Sequence, residues 1–275
     1  MLGDLSIGYC SSSPRVSENL VGRLGEQADF IEIPVHDDFL RRGVSAFAPD
    51  HFGGFLTLHG EGETDGHRRI RFSSPSRRDR IRYAKHSARM FNLAHDQIGP
   101  LRTRAVIVHP STLSGRFTRF AQIEWFVESL CTLSDSCTVT EICVEPRGGD
   151  RQRKVVRSEI QDIVCLHQAA VKNGIRLGFC IDLAQTCCAY GTQGVANLIG
   201  ECISHDIPIK EIHVSDAVET RRSKRLGMEI GTGRIDFLQA LGHLRDSSVR
   251  LLIETIGGLP VFTRSLEHLK RLEGS

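Results

Sequence analysis

At 275 residues the chain has the length of one large barrel, about 250 residues in the (β/α)8 case, or of two small domains. Its apolar fraction of 40% and charged fraction of 25% exclude a disordered chain, and a net charge of +2 is too small to single out nucleic acid as a partner. No stretch approaches the ~18 consecutive apolar residues of a membrane span, and the start MLGDLSIGYC lacks a basic segment followed by an apolar core, so a cytoplasmic chain with no membrane partner is expected.

Short apolar runs rich in β-branched residues alternate with longer segments of helical period. The strand candidates are LSIGYC from Leu5, ADFIEIPV from Ala28, GFLTLHG from Gly54, RAVIVHP from Arg104, VTEICVE from Val139, RLGFCID from Arg176, IKEIHVSD from Ile209 and VRLLIET from Val249. Between them lie the helix candidates SENLVGRLGEQ, RIRYAKHSARMFNLAHDQIG, FAQIEWFVESLCTL, VVRSEIQDIVCLHQAAVKNG, GVANLIGECISHD, RIDFLQALGHLRD and VFTRSLEHLKRLEG. Asn173-Gly174 closes one helix, Gly194 opens another, and Pro260 suits a first helical turn. The second unit is the weakest, because RRGVSAFAPDHFG is a poor helix. Strand-helix units without a composition break predict a single (β/α)8 TIM barrel over residues 1–275, with a doubly wound open sheet as the competing arrangement. The nine cysteines, an odd number set inside these elements, read as reduced structural thiols.

Titratable residues recur where strands finish. His59 ends the third, His109 the fourth, Glu145 the fifth, Asp182 the sixth, His213 the seventh and Glu254 the eighth. A lone strand-end histidine is more often a satisfied polar residue than a ligand, and a carboxylate before a turn is usually solvated. Six successive strands ending in such groups are another matter, because a parallel barrel gathers those ends on one face. Imidazole and carboxylate together suit a divalent metal, one or two ions of Zn, Mn, Mg or Fe.

At these residues the chain resembles the xylose-isomerase-like TIM-barrel superfamily, which includes sugar isomerases, epimerases and endonuclease IV. The matching words are LTLHGE, VIVHPS, ICVEP, CIDLAQ, EIHVSD, EIGTGRIDF and LLIET, from about Gly54 to the chain end. The resemblance implies that Glu145, Asp182, His213 and Glu254 bind one metal, and that His59, His109 and a bridging Glu145 hold a second of the endonuclease IV type. It also makes Glu145 and Glu254 the catalytic pair that moves protons on opposite faces of the substrate. The third metal of endonuclease IV needs a His three residues after the Asp and an Asp-x-His before the Gly-x-Gly. Here those positions are Gln185, Arg225 and Gly227, which supply no comparable ligand. Gln185 also stands where the ketose epimerases have a substrate-touching His.

Three basic clusters follow strands on the same face. They are Arg68, Arg69, Arg71, Arg77 and Arg78; Arg147, Arg151, Arg153 and Lys154; and Arg221, Arg222, Lys224 and Arg225. Charge runs are usually solvated surface. Three on one rim would focus positive potential at the mouth, and guanidinium groups pair with carboxylate or phosphate. A small anionic substrate is therefore expected, with Gln185, Arg147, Arg221, Arg222 and Arg225 as its contacts. Nucleic acid is the weaker partner class, since Phe72 and Tyr83 are the only aromatics near the first cluster. Assembly into a homo-oligomer is left open. Gly231-Thr232-Gly233 offers an anion cradle, although a loop into the seventh helix is the plainer reading. Two reactions follow from the resemblance. The first is a metal-dependent isomerase, epimerase or related lyase acting on a polyhydroxylated carbonyl compound through an enediolate. The alternative is an endonuclease IV-like phosphodiesterase with a reduced two-metal site.

Overall fold

The structure, a computed structural model, describes residues 5–10, 27–35, 52–60, 71–98, 103–148, 154–219, 224–244 and 248–273. The strands are β1 (Ser6–Cys10), β2 (Phe30–Pro34), β3 (Phe55–His59), β4 (Thr103–Val108), β5 (Glu141–Val144), β6 (Leu177–Asp182), β7 (Ile209–Val214), β8 (Asp216–Glu219), β9 (Lys224–Met228) and β10 (Arg250–Ile253). Eight of them close a parallel barrel in the order β1, β10, β7, β6, β5, β4, β3, β2. Because β1 pairs with both β2 and β10, no edge remains, and the open-sheet alternative is excluded. Each barrel strand falls on one of the expected apolar runs. The chain is thus a (β/α)8 TIM barrel.

Strand side chains alternate between two faces, and this parity sorts the barrel's residues. Ile31, Ile33, Leu56, Leu58, Val106, Val108, Ile142, Val144, Ile212, Val214, Leu251 and Ile253 join the main core between sheet and helices. The intervening positions Ile107, Cys143 and Cys180 form a separate small cluster inside the barrel. The end opposite the candidate site is plugged. Phe30 stacks on Phe55 at 5.1 Å, and Gly8 is required beside it, since a Cβ there would lie 2.3 Å from the Phe30 ring. Arg250 completes the plug through Glu211 (2.8 Å) and Glu141 (2.6 Å).

The helices are α1 (Arg77–Ile98), α2 (Arg119–Ser136), α3 (Ile160–Lys172), α4 (Leu183–Ser204), α5 (Phe237–Leu241) and α6 (Gly258–Glu273). The segment SENLVGRLGEQ and the doubtful RRGVSAFAPDHFG lie almost entirely outside the described residues. Three expectations are corrected. The fifth-unit helix starts at Ile160 rather than at Val155, because Val155 donates to Ser111 O and Val156 O accepts from Arg147, tying this stretch to the loops after β4 and β5. α4 starts at Leu183, ahead of Gly194, because the Asp182 carboxylate caps it from the strand end; Gly191 (φ 76°) then kinks it. In the basic run after β7, Lys224 and Arg225 stand on β9, which pairs antiparallel with β8, rather than in a plain loop.

All nine cysteines are free thiols, five of them buried. Among the described residues, no helix is long and apolar enough to cross a membrane.

Candidate metal centre

Strand parity aims His59, Glu145, Asp182 and His213 into the barrel, on the same face as Cys143 and Cys180. At its centre lies a triangle of donor atoms. His59 Nε2 and His109 Nε2 are 2.8 Å apart, and they stand 3.0 and 2.8 Å from Glu145 Oε2. Two imidazole nitrogens and a carboxylate oxygen this close cannot all be satisfied by the protons available, whereas a cation among their lone pairs would satisfy all three. The donor chemistry therefore fits a divalent metal, with zinc, manganese and iron the natural candidates for two imidazoles and a carboxylate.

Glu145 is fully buried and holds a second partner. Arg147 Nη2 donates to Oε2 at 3.2 Å, and its Nε lies 2.9 Å from Oε1 as an ion pair without hydrogen-bond geometry. Burial opposes the charge of Glu145, but Arg147, His109 and His59 outweigh it and hold its carboxyl well below the usual range. Arg147 is thus turned into the site, with its side chain only 25% exposed, rather than standing free on the rim.

The other half of the constellation is looser. His213 is fully buried, with Nδ1 3.4 Å from Glu254 Oε2. Burial, Glu254 and Glu145 push the Asp182 carboxyl up to about 7. Among the described residues, three groups of donors lie within 4.8 Å of one another: His59 with His109 and Glu145, Glu32 with His59 and His213, and Cys180 with Glu211 and His213. Neither Asp182 nor Glu254 belongs to any of them.

Glu32 is a residue the sequence analysis missed. It is fully buried on β2, with Oε1 2.8 Å from His59 Nδ1 and Oε2 3.2 Å from His213 Nε2. Parity was the available signal: Ile31 and Ile33 face the helices, so the charged residue between them faces inward.

The remaining expected contacts are scattered. Gln185 sits in the first turn of α4, where its backbone N–H donates to Asp182 Oδ1 at 2.9 Å. Arg225 is exposed on β9. Arg221 and Arg222 lie outside the described residues, as do Arg68, Arg69, Arg151 and Arg153. Arg71, Arg77 and Arg78 are exposed. Phe72 is buried against Phe126 and Tyr83 packs on the core, so neither is an open stacking platform.

The Gly231-Thr232-Gly233 turn does cradle an anion, but an internal one. Gly231 and Gly233 donate to Asp216 Oδ2 at 3.0 and 2.8 Å, while Ala217 and Ile235 donate to Oδ1 at 2.8 and 3.1 Å. Position 227 is also built for another purpose than metal binding. Gly227 has φ 69°, and a Cβ there would lie 2.8 Å from the Ile256 side chain.

No protein-family model matches the chain, and no curated protein matches it in sequence. Solved structures match it over nearly its whole length. A D-tagatose 3-epimerase-like protein superposes with a TM-score of 0.68 at 16% identity, covering 98% of this chain and 97% of the other. The IolI protein, with a bound zinc atom, gives 0.65 at 13% identity, covering 98% and 96%. The 3-keto-D-glucoside 4-epimerase YcjR from E. coli gives 0.65 at 14% identity, covering 98% and 100%. The chain therefore shares the TIM-barrel fold of these structures.

Proposed function

We propose that the chain is a metal-dependent isomerase or epimerase that moves a proton on the carbon beside a carbonyl of a polyhydroxylated, anionic substrate. The observation that carries this reading is the donor triangle of His59, His109 and Glu145, set beside the acid–base carboxylates Asp182 and Glu254. Shared fold with sugar epimerases supports it. His59, His109 and Glu145 would hold the ion. When bound, it supplies Lewis-acid polarisation of the carbonyl.

The chain's own residues do the rest. Arg147 keeps Glu145 anionic, which suits a ligand better than a base, so the proton-moving role passes to Glu254. That carboxylate is 37% exposed and His213 Nδ1 faces it, an arrangement that leaves it reachable yet oriented. Asp182, with its pKa near neutrality, is placed to return a proton. Gln185 at the start of α4 and Arg225 on β9, with Arg221 and Arg222 as further candidates from the sequence, would meet the substrate's anionic group.

The test is to incubate metal-loaded protein in deuterium oxide with a panel of ketoses, sugar phosphates and sugar acids. Proton NMR should show exchange of the hydrogen beside the carbonyl, lost in Glu254→Gln. One observation favours a second reading. The donors gathered tightly are His59, His109 and Glu145, the set that the resemblance assigns to the endonuclease IV type of metal. Incision of abasic duplex DNA, with no exchange across the panel, would replace the isomerase reading by a phosphodiesterase one. Gln185, Arg225 and Gly227 argue against that outcome.

A further inference from the structure

Strand register builds another donor group inside the barrel. Glu211 and His213 lie two residues apart on β7 and so share its inner face, and pairing with β6 sets Cys180 beside Glu211. All three side chains are fully buried, and their donor atoms lie within 4.8 Å of one another. Arg250 Nε holds Glu211 Oε2 at 2.8 Å, which leaves Oε1 to face His213 Nε2, 3.4 Å away. Glu32 Oε2 stands 3.2 Å from the same nitrogen. One imidazole N–H cannot serve two carboxylates at once, and it meets neither with hydrogen-bond geometry. Glu211 Oε1, Glu32 Oε2 and His213 Nε2 are all buried polar atoms without a hydrogen bond, which calls for a partner of another kind.

We propose that Cys180, Glu211 and His213 form a structural site for a thiophilic divalent cation, zinc above all, separate from the triangle of His59, His109 and Glu145. Thiolate, imidazole nitrogen and carboxylate oxygen make a zinc donor set, and the sulfur selects against magnesium and calcium. Zinc bonds of about 2.0–2.1 Å at tetrahedral angles hold nitrogen and oxygen donors roughly 3.3–3.4 Å apart. Glu211 Oε1 and His213 Nε2 have that spacing. The ion replaces protons: the Cys180 thiol and His213 Nε2 release theirs to solvent as it binds. The neighbouring charges are already matched, Arg250 by Glu141 at 2.6 Å and Glu32 by His59 at 2.8 Å. Glu211 and the thiolate are then left to a divalent ion. His213 keeps Nδ1 toward Glu254 at 3.4 Å, so an ion on Nε2 anchors the imidazole from behind.

The experiment strips the full-length chain with a chelator under reducing conditions and reloads it with cobalt(II). A thiolate bound to cobalt(II) gives a strong charge-transfer band in the near ultraviolet, which imidazole and carboxylate alone do not give. The wild type should show the band, and His109→Ala, which breaks the triangle, should keep it. Cys180→Ser should lose the band and one ion per chain by elemental analysis. Cys180→Ala gives a second route to the same result should the Ser variant fold poorly, and thermal melts of the stripped proteins report the fold of each. No band in the wild type, or a band that persists in a well-folded Cys180 variant, overturns the inference. An ion bound without the band and lost in His109→Ala would overturn it while leaving the triangle reading intact. A band kept in His109→Ala with no loss of ions would support the inference and count against the triangle.

Discussion

His59 Nδ1 lies 2.8 Å from Glu32 Oε1, and its other nitrogen faces Glu145 and His109. A carboxylate behind an imidazole fixes ring orientation and tautomer and raises the basicity of the opposite nitrogen. Here that nitrogen is Nε2, the one in the donor triangle. Glu32 is thus placed to position a ligand without being one. Glu32→Gln should keep the fold and lower zinc affinity by roughly 10–100-fold, read by competition with a chromophoric chelator. Unchanged affinity would return Glu32 to the role of a buried polar residue with no bearing on the metal.

The same pairing sets a pH dependence. Burial works against a charged His59, but Glu32 and Glu145 outweigh it and lift its pKa to about 10. Without metal, His59 is then doubly protonated at neutral pH, and loading must expel the Nε2 proton. Affinity should accordingly rise with pH between about pH 6 and 9 and level off above the folded pKa. Calorimetry in two buffers of different ionisation enthalpy should find about one proton released near neutrality on account of His59. Glu32→Gln should lower that count, because the group that raises the pKa is gone. A flat affinity over this range would contradict the assignment.

The barrel was legible because its strands are short β-branched runs of clear period, from Leu5 to Thr255, and because the six strand-end residues mark one face. Glu32 escaped notice for lying in the middle of a strand, although Ile31 and Ile33 on either side already assign it to the interior. The Arg147–Glu145 ion pair could not be read, since it depends on backbone contacts of Arg147 with Val156 and of Gly148 with Ser158 that no local pattern encodes. The hairpin of β8 and β9 hid inside a charge run. Its pairing leans on Asp216 and on Ile256 N donating to Gly227 O at 2.7 Å, both distant in sequence from the residues they organise.

The plug at the far end of the barrel makes a stability prediction. Glu211 is fully buried and is held by Arg250 Nε at 2.8 Å. Arg250→Met removes that partner and leaves a buried carboxylate uncompensated, which costs about 3–5 kcal/mol. Urea unfolding should show the loss, and the double variant Arg250→Met with Glu211→Gln should recover part of it. Equal stability of wild type and Arg250→Met would mean that Glu211 is neutralised or solvated by another route.

The Asp216 cradle separates a structural anion site from a substrate one. Four backbone N–H groups, from Ala217, Gly231, Gly233 and Ile235, converge on its carboxylate. An external phosphate or carboxylate therefore finds the Gly-x-Gly turn already filled. Phosphate titrated into the protein should leave the amide resonances of Gly231 and Gly233 unmoved, even if it shifts residues elsewhere at the mouth. Asp216→Ala removes an acceptor that takes charge-assisted bonds, for a loss of about 2–3 kcal/mol, and the same amides should lose protection from hydrogen exchange. Gly233→Ala should act in the same direction, since its Cβ would stand 2.2 Å from Asp216 Oδ1 and 2.7 Å from Ala217 O. The hairpin bears on the site through the Ile256–Gly227 bond, two residues beyond Glu254, so both variants should also slow any proton exchange that depends on Glu254. Phosphate-induced shifts at Gly231 and Gly233 in the wild type would show that the cradle opens to an outside anion and that Asp216 does not own it.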